Sequence, residues 1–524
     1  MRKYLLLLLF FSISSQFFAQ DAVKSKQNTY DQSITADDLR AHIGFLADDL
    51  LEGRETGTRG QRLAAAYIQA HFKRIGLAPG NPDGTYFQYY YLNRSEIQDA
   101  RISFGGKSYA YTKDFFNYRR GFPDSLSGEL VFAGYGISDK DYDNLEGLDV
   151  EGKIVVVLGG SPNNEAEKEQ SRIERIRSWA ARQKNLEEKG AKAMVMVIPA
   201  DMDKTVRRYA RKRSFEISPS PEMGMPELFL GSAMGAELLK LAKGKLNKIE
   251  NELATSATPP KLKMDKITDF RLEADRESSS TAASNVLGFL EGTDKKEEIV
   301  VLTAHYDHIG ISRDGQINNG ADDDGSGTSA ILELAEAFAL AAKNGNRPRR
   351  SMIFMTVSGE EKGLLGSRFY TDYPLYPLAN TVADLNIDMI GRIDSKYESE
   401  PDSTNYVYII GSDKLSSDLH NIGETANEEH TNLVLDYTYN DDKDPNRFYY
   451  RSDHYNFAKN NIPVIFYFTG VHVDYHKPGD DPHKIRYEKA AKITKLVYHT
   501  AWELANREER IVVDKAEITD EGGK

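Results

Sequence analysis

VVLTAHYDHIGISRDGQINNGADDDGSG, residues 300–327, carries the pattern of a strand, a loop and the start of a helix. It begins within a β-branched apolar run, Ile299 to Leu302, that leads to His305, Tyr306 and Asp307. Such a run reads as a buried strand. A loop leads on to Asp322, Asp323 and Asp324, and Gly325-Ser326-Gly327 opens the helical pattern ILELAEAFALAA. The histidine therefore stands at the carboxyl end of a strand and the carboxylates just before a helix. Open α/β sheets bind their ligands at that end of the strands. Imidazole with carboxylate, in a chain without cysteine, is a donor set suited to zinc or another borderline divalent ion.

Outward from this stretch the same alternation recurs. SNVLGFLEG precedes it, and after the helix over 328–343 come SMIFMTVSGEE, ADLNIDMIG, YVYIIG and IPVIFYFTG, with helical patterns at 363–370, 412–428 and 486–507. Alternating strands and helices predict a three-layer α/β sandwich with a mostly parallel, mixed sheet. Four strand ends carry donor side chains: His305 and Asp307, then Glu360 and Glu361, then Asp388, then a loop with Tyr475 and His476. Asp323 joins them from the loop before the helix. Each alone has a plain structural reading. A lone histidine at a strand end is usually a satisfied core residue, and adjacent glutamates are usually a solvated turn. A carboxylate between Ile387 and Met389, however, needs a partner or a metal. Recurrence at equivalent strand ends is what points to one site.

The rest of the chain sets bounds. Its 524 residues suffice for two to four domains, and 40% apolar content supports packed cores. The formal charge, 67 − 80 = −13, argues against nucleic acid as a partner. Zero cysteines exclude disulfides, thiolate metal sites and a cysteine nucleophile. Residues 1–19, with Arg2 and Lys3 before the apolar run Leu5 to Phe11, read as a signal peptide cut after Ala19, so the protein is expected to be exported, to the periplasm or beyond. No later segment is apolar enough to span a bilayer. Residues 20–34 read as a flexible lead-in. Thr35 caps a helix with Leu39, Ile43, Leu46 and Leu50 on one stripe, and a second helix carries Ala64, Ile68, Phe72 and Ile75 up to Gly76. Residues 35–115 and 266–510 are read as one α/β domain, the one that carries the candidate site, with a charged tail over 511–524. Between them, 116–265 is read as an inserted β-rich domain. All eleven histidines lie at 42, 71 or from 305 onward, so this segment supplies no imidazole.

The ordered set His-x-Asp, Gly-Ala-Asp-Asp-Asp-Gly-Ser-Gly, Gly-Glu-Glu-x-Gly-Leu-x-Gly-Ser, Asn-x-Asp-Met-x-Gly and Tyr-His resembles the dinuclear zinc aminopeptidases, relatives of glutamate carboxypeptidase and the transferrin receptor. The resemblance covers roughly 270–505 and the helices of 35–78. GELVFAGYGI, LDVEGKIVVVL and NLEEKGAKAMVMV are similar to the protease-associated domain found in that family. The resemblance implies the zinc exopeptidase fold and two zinc ions. His305 and Asp388 would hold one, Glu361 and His476 the other, and Asp323 would bridge them. Asp307 would fix the outer nitrogen of His305, Glu360 would be the general base, and Tyr475 an oxyanion donor. The expected activity is release of N-terminal residues from peptides. Alternatives on the same scaffold are a metallocarboxypeptidase, with Arg392 and Arg451 as candidate carboxylate binders, a single-zinc glutaminyl cyclase, or a non-catalytic binding protein. Ser452-Asp453-His454 offers a serine-hydrolase reading, but a working triad converges from separated segments.

Overall fold

A computed structural model describes residues 30–117, 122–139, 142–161, 172–199, 213–218, 224–240, 243–255 and 267–515. The expected leader lies outside them. In chain order the larger elements are α1 (Ala36–Leu46), α2 (Arg59–Ile75), β1 (Phe87–Phe104), β2 (Ser125–Phe132), β3 (Ile154–Leu158), α3 (Arg172–Glu188), β4 (Ala193–Val197), β5 (Glu227–Leu230), β6 (Ile267–Leu290) and β7 (Lys295–His305). Then follow α4 (Gly325–Lys343), β8 (Arg350–Val357), α5 (Leu365–Asp372), β9 (Thr381–Ile387), β10 (Tyr406–Ile410), α6 (Ser417–Ala426), β11 (Val434–Asp436), β12 (Val464–Phe468) and α7 (Tyr487–Asn506). The chain divides into two compact units, residues 1–91 with 281–524, and residues 92–280.

In the first unit β12, β9, β7 and β8 lie side by side and parallel. The carboxyl half of β6 closes one edge antiparallel to β8, and β10 runs antiparallel to β12 with β11 beyond it. Every residue of β8, β9 and β12 is buried, as a strand covered on both faces requires. Strand alternation sorts them into two cores. Val300, Leu302, Met352, Phe354, Leu385 and Ile465 face a cluster shared with Leu39 and Ile43 of α1, Phe72 of α2, Phe338 of α4 and Val497 of α7. Ile299, Val301, Ile353, Met355 and Phe466 face the other, with Tyr370 of α5 and Phe457. Helix, sheet, helix is the three-layer arrangement that the sequence predicts.

The helix starts follow local chemistry. Thr35 accepts from the Asp38 amide and Thr58 from that of Gln61, while α2 ends on Gly76 in the left-handed region. One expected stripe is shorter than the spacing implied. α1 stops at Leu46, and Leu50 is 78% exposed in the turn that follows. The end of the expected flexible lead-in is also packed. Tyr30 and Ile34 are buried, and the Tyr30 hydroxyl accepts from Asn346. At the other terminus Ile511 is buried, so the tail begins as packed chain.

The second unit is mixed α/β, with helices beside its strands. The amino half of β6 pairs antiparallel with β2, and β2, β3, β4 and β5 follow in parallel. Trp179 of α3 is fully buried and donates its indole N–H to the Gly159 carbonyl. The limits 116 and 265 expected from sequence both fall inside this unit. β1 and β6 are long strands that each belong partly to one unit and partly to the other, so no change of composition marks residues 92 or 280.

Candidate metal centre

The parallel strands deliver the candidate residues to one end of the sheet. His305 is the last residue of β7, Asp388 follows β9, and Glu360 and Glu361 follow β8 through Ser358-Gly359. His476 comes from the loop after β12. Its backbone lies in the left-handed region, as does that of Met389 beside Asp388. Non-glycine residues held there carry local strain, which accumulates at functional sites.

Two donor groups share Asp323. His305 Nε2 lies 3.3 Å from Asp323 Oδ1 and 3.6 Å from Asp388 Oδ1. On the other side of Asp323, His476 Nε2 lies 3.2 Å from Asp323 Oδ2 and 3.2 Å from Glu361 Oε2. A residue that the sequence reading passed over joins this second group. His308 Nδ1 is 2.8 Å from Glu361 Oε1 and 3.8 Å from Asp323 Oδ2. His305, Asp323 and Asp388 form one set with metal-ligand spacing, and His308, Asp323 and Glu361 form another. Asp323 Oδ2, Glu361 Oε1 and His308 Nδ1 are all buried without a hydrogen-bond partner. Buried polar atoms left unpaired are costly, and a cation among them would satisfy all three. The imidazole–carboxylate chemistry and the unpaired atoms fit zinc.

The surrounding charge agrees. Burial would lower the His305 ring, but the Asp388 charge and hydrogen bonds with Asp323 and Asp388 hold it well above the ordinary imidazole range. His476 is raised to about 10, because its contacts with Asp323 and Glu361 outweigh burial. Burial and the Asp323 charge push Glu361 up, yet the two histidines bring it down to about 2. Glu360 behaves oppositely. Burial first, with the charges of Glu361, Asp453 and Asp388, raises its carboxyl well above the usual range against the pull of His305. Neighbouring glutamates thus occupy different environments. Glu361 lies between His308 and His476, while Glu360 lines a cleft with His305, Asp323 and Asp388.

Supporting contacts come from segments distant in sequence. His305 Nδ1 is 3.0 Å from the main-chain carbonyl of Asp307, whose carboxylate is farther away at 3.9 Å. That carboxylate instead accepts from Thr56 Oγ1 and from the Glu360 amide. Asp307 therefore fixes the ring through its backbone and the glutamate turn through its side chain. Arg54, fully buried, donates to the carbonyls of Leu46, Tyr306, Asn319 and Gly320 and so pins both ends of the loop after β7. Asp480 accepts from the amides of Asp322 and Asp323. No motif announces Arg54, Thr56 or Asp480. For His308 the only signal was a second histidine just beyond His-x-Asp.

The cleft is also lined by the apolar rings of Phe448, Phe466 and Phe468 and by Arg451 and Tyr475. Tyr475 stacks on His476 with ring centroids 3.9 Å apart. Burial, then the charges of Asp323, Glu360 and Glu361, raise its phenol far above the usual value, so it stays a proton donor. Arg451 donates weakly to the Tyr475 hydroxyl at 3.5 Å and lies over the Phe448 ring. Arg392 is paired with Asp474 at 2.8 Å. Ser452, Asp453 and His454 do not form a triad. Ser452 donates to Asp388, Asp453 accepts from Ser367, and the His454 ring stacks on Phe466.

Residues 285–501 match peptidase family M28. The chain is 26% identical over 293 residues to a probable zinc metalloprotease of Pyricularia oryzae, covering 48% of this chain and 56% of that one. It is 32% identical over 217 residues to a probable leucine aminopeptidase of Arthroderma otae, covering 40% of this chain and 55% of that one. It thus spans little more than half the length of either relative. Among solved structures, an aminopeptidase from Aneurinibacillus sp. strain AM-1 covers 94% of this chain and 98% of its own, with a TM-score of 0.51 and 18% identity. That likeness is one of fold.

Proposed function

We propose, on the premise that residues 285–501 of this chain belong to peptidase family M28, that the protein is an exported zinc-dependent aminopeptidase releasing N-terminal residues from peptides. The observation that carries this reading is the pair of donor groups sharing Asp323 at the edge of a cleft that Glu360 also lines. His305, Asp323 and Asp388 would hold one zinc; Asp323, Glu361 and His476 the other. When bound, two zinc ions supply Lewis acidity that acidifies a water and polarises the scissile carbonyl.

The chain's own groups do the rest. Glu360 accepts a proton from the attacking water and passes it to the leaving nitrogen. The Tyr475 hydroxyl donates to the carbonyl oxygen as negative charge builds there. Asp307 keeps the His305 ring oriented and ties the glutamate turn to β7. The carboxylates of the site accept a free α-amine, which favours the amino end of a substrate. Export rests on the leader of residues 1–19, and residues 116–265 are assigned to a protease-associated-like domain on their glycine-bounded strands.

One observation favours a second reading, action at a C-terminal residue: Arg451 places a guanidinium at the cleft. A panel of aminoacyl anilides, N-acetylated peptides and C-terminally blocked dipeptides separates the two, with zinc removed by chelator and then restored. The aminopeptidase reading expects two zinc ions per chain, loss of activity on chelation, recovery with zinc, and a strict need for a free amine. Full activity in a metal-free preparation, or N-acetylated peptides cleaved as fast as free ones, would end it. One zinc per chain would point to the cyclase chemistry.

A further inference from the structure

His308 stands at the metal centre without a place in the pattern that identifies it. Its ring is fully buried and both ring nitrogens lack a hydrogen-bond partner. The backbone there is fixed, since the His308 amide donates to the Arg54 carbonyl and the residue forms a bridge with Glu55. Gly320 leaves room for the ring: a Cβ at that position would come within 2.6 Å of His308 Cδ2. The imidazole is therefore held in place rather than swung in by chance.

Its nearest polar neighbour is Glu361 Oε1, at 2.8 Å from Nδ1. That separation is short enough for a hydrogen bond, but the ring and the carboxylate are not aligned for one, and His308 acts on Glu361 chiefly by lowering its carboxyl. Nδ1, Oε1 and Asp323 Oδ2 instead converge on a common volume, all three buried and unpartnered. Donors bound at about 2.0–2.2 Å around a tetrahedral zinc lie about 3.3 Å from one another. The His308 separations, 2.8 Å and 3.8 Å, bracket that value, and those of His476 are both 3.2 Å.

We infer that His308 is the fourth protein donor of the Glu361–His476 position. The inference rests on reading the centre as a two-zinc site. It makes the two positions unequal. One has four protein donors, Asp323, Glu361, His476 and His308. The other has three, His305, Asp323 and Asp388. The four-donor position takes zinc first and holds it more tightly.

The test measures zinc on the whole chain by elemental analysis and chelator competition, for wild type, His308→Ala and His308→Asn. Asparagine keeps an N–H for Glu361 near the Nδ1 position but is a poor zinc ligand. Both variants should keep the weaker zinc and bind the tighter one at least about 100-fold less well, beyond the usual effect of a merely supporting residue. X-ray absorption of the wild-type dizinc chain needs no variant to fold. It should report three imidazoles shared by two zinc ions; two imidazoles would overturn the proposal. So would unchanged zinc affinities in His308→Ala, or full rescue by His308→Asn, which would make His308 a hydrogen-bond partner of Glu361. A wild-type chain that binds no zinc would instead sink the two-zinc reading itself.

Discussion

Asp322, Asp323 and Asp324 are adjacent, buried and chemically identical, and the fold gives each a different task. Asp322 accepts from the Gly391 amide; Asp323 turns to the histidines; Asp324 caps α4 through Gly327 and also accepts from the amides of His305 and Met389. The sequence shows that a carboxylate cluster precedes a helix, but which member faces the site depends on three segments meeting, and residue types alone cannot express that. The same holds for Arg54 and Thr56, whose partners are some 250 residues away. Glu360 and Glu361 pose the question in its simplest form. Glu360→Gln keeps shape but cannot accept a proton, so two zinc ions should stay bound while kcat falls by roughly 10²–10⁴-fold. Glu361→Gln removes an anionic donor and should lose zinc first, with activity partly recovered by excess metal. Zinc content and kcat measured side by side decide it: zinc lost from Glu360→Gln and kept by Glu361→Gln would reverse the roles. Away from the centre, Lys489 is buried over the Tyr406 ring with no hydrogen-bond partner for its ammonium. Burial, against the attraction of Asp322 and Asp394, lowers it to about 7. The unfolded chain therefore binds this proton more tightly, so Lys489 makes a contribution to stability that rises with pH from about 7 towards the ordinary lysine value near 10, opposite in sign to the contributions of His305 and His476. Lys489→Met should abolish that rise and stabilise the chain at pH 7 by on the order of 3 kcal/mol. Urea midpoints at pH 7 and 9.5 check this; the same pH slope in both proteins would refute it.

At the scale of elements, four parallel strands in the order β12, β9, β7, β8 bring their carboxyl ends together, and this is why residues from 305 to 476 can form one centre. That much was legible, because β-branched runs, their glycine stops and the donor residues after them repeat in the sequence. The end of α1 was not. The spacing of Leu39, Ile43, Leu46 and Leu50 continues the stripe, but the chain turns at Asp48, whose carboxylate accepts from the Leu50 amide, and the helix cannot go on. The junction of α4 with β9 gives a test at this scale. Gly327 packs so closely that an added Cβ would meet the Ile387 carbonyl and come within 2.5 Å of the Asp324 carboxylate. Helix and strand approach each other there, one residue before Asp388. Gly327→Ala should push α4 away from β9 at a cost of about 1–3 kcal/mol, the usual range for overpacking. Because Asp388 moves with that strand end, the His305–Asp388 position should lose zinc affinity before the other. Urea unfolding with chelator competition reads both effects, and an unchanged midpoint with unchanged zinc binding would show that the junction yields without strain.

For the whole molecule, absence of histidine from 72 to 304 separated a segment without metal chemistry from the rest, while the limits of the second unit stayed hidden in two continuous strands. The cores are separate as well. One cluster runs from Ile97 to Leu272 and draws only on the second unit, whereas the clusters on the two faces of the sheet of the first unit draw only on that unit. Every proposed zinc donor, His305, His308, Asp323, Glu361, Asp388 and His476, lies in the first unit. A ligand stabilises only what must be folded to bind it, by RT ln(1 + [L]/Kd), about 4 kcal/mol when free zinc exceeds Kd by a thousandfold. Zinc should therefore slow amide hydrogen exchange in β7 and β9, whose ends carry His305 and Asp388, by up to about a thousandfold where exchange needs that unit to unfold. In β3 and β4 of the second unit, exchange should keep the same rate with and without zinc. Mass spectrometry of peptides from 154–158, 193–197, 299–305 and 381–388 makes the comparison within a single sample. Equal slowing in all four would mean that the two units unfold as one cooperative block, and the division at residues 92 and 280 would then be geometric without being energetic.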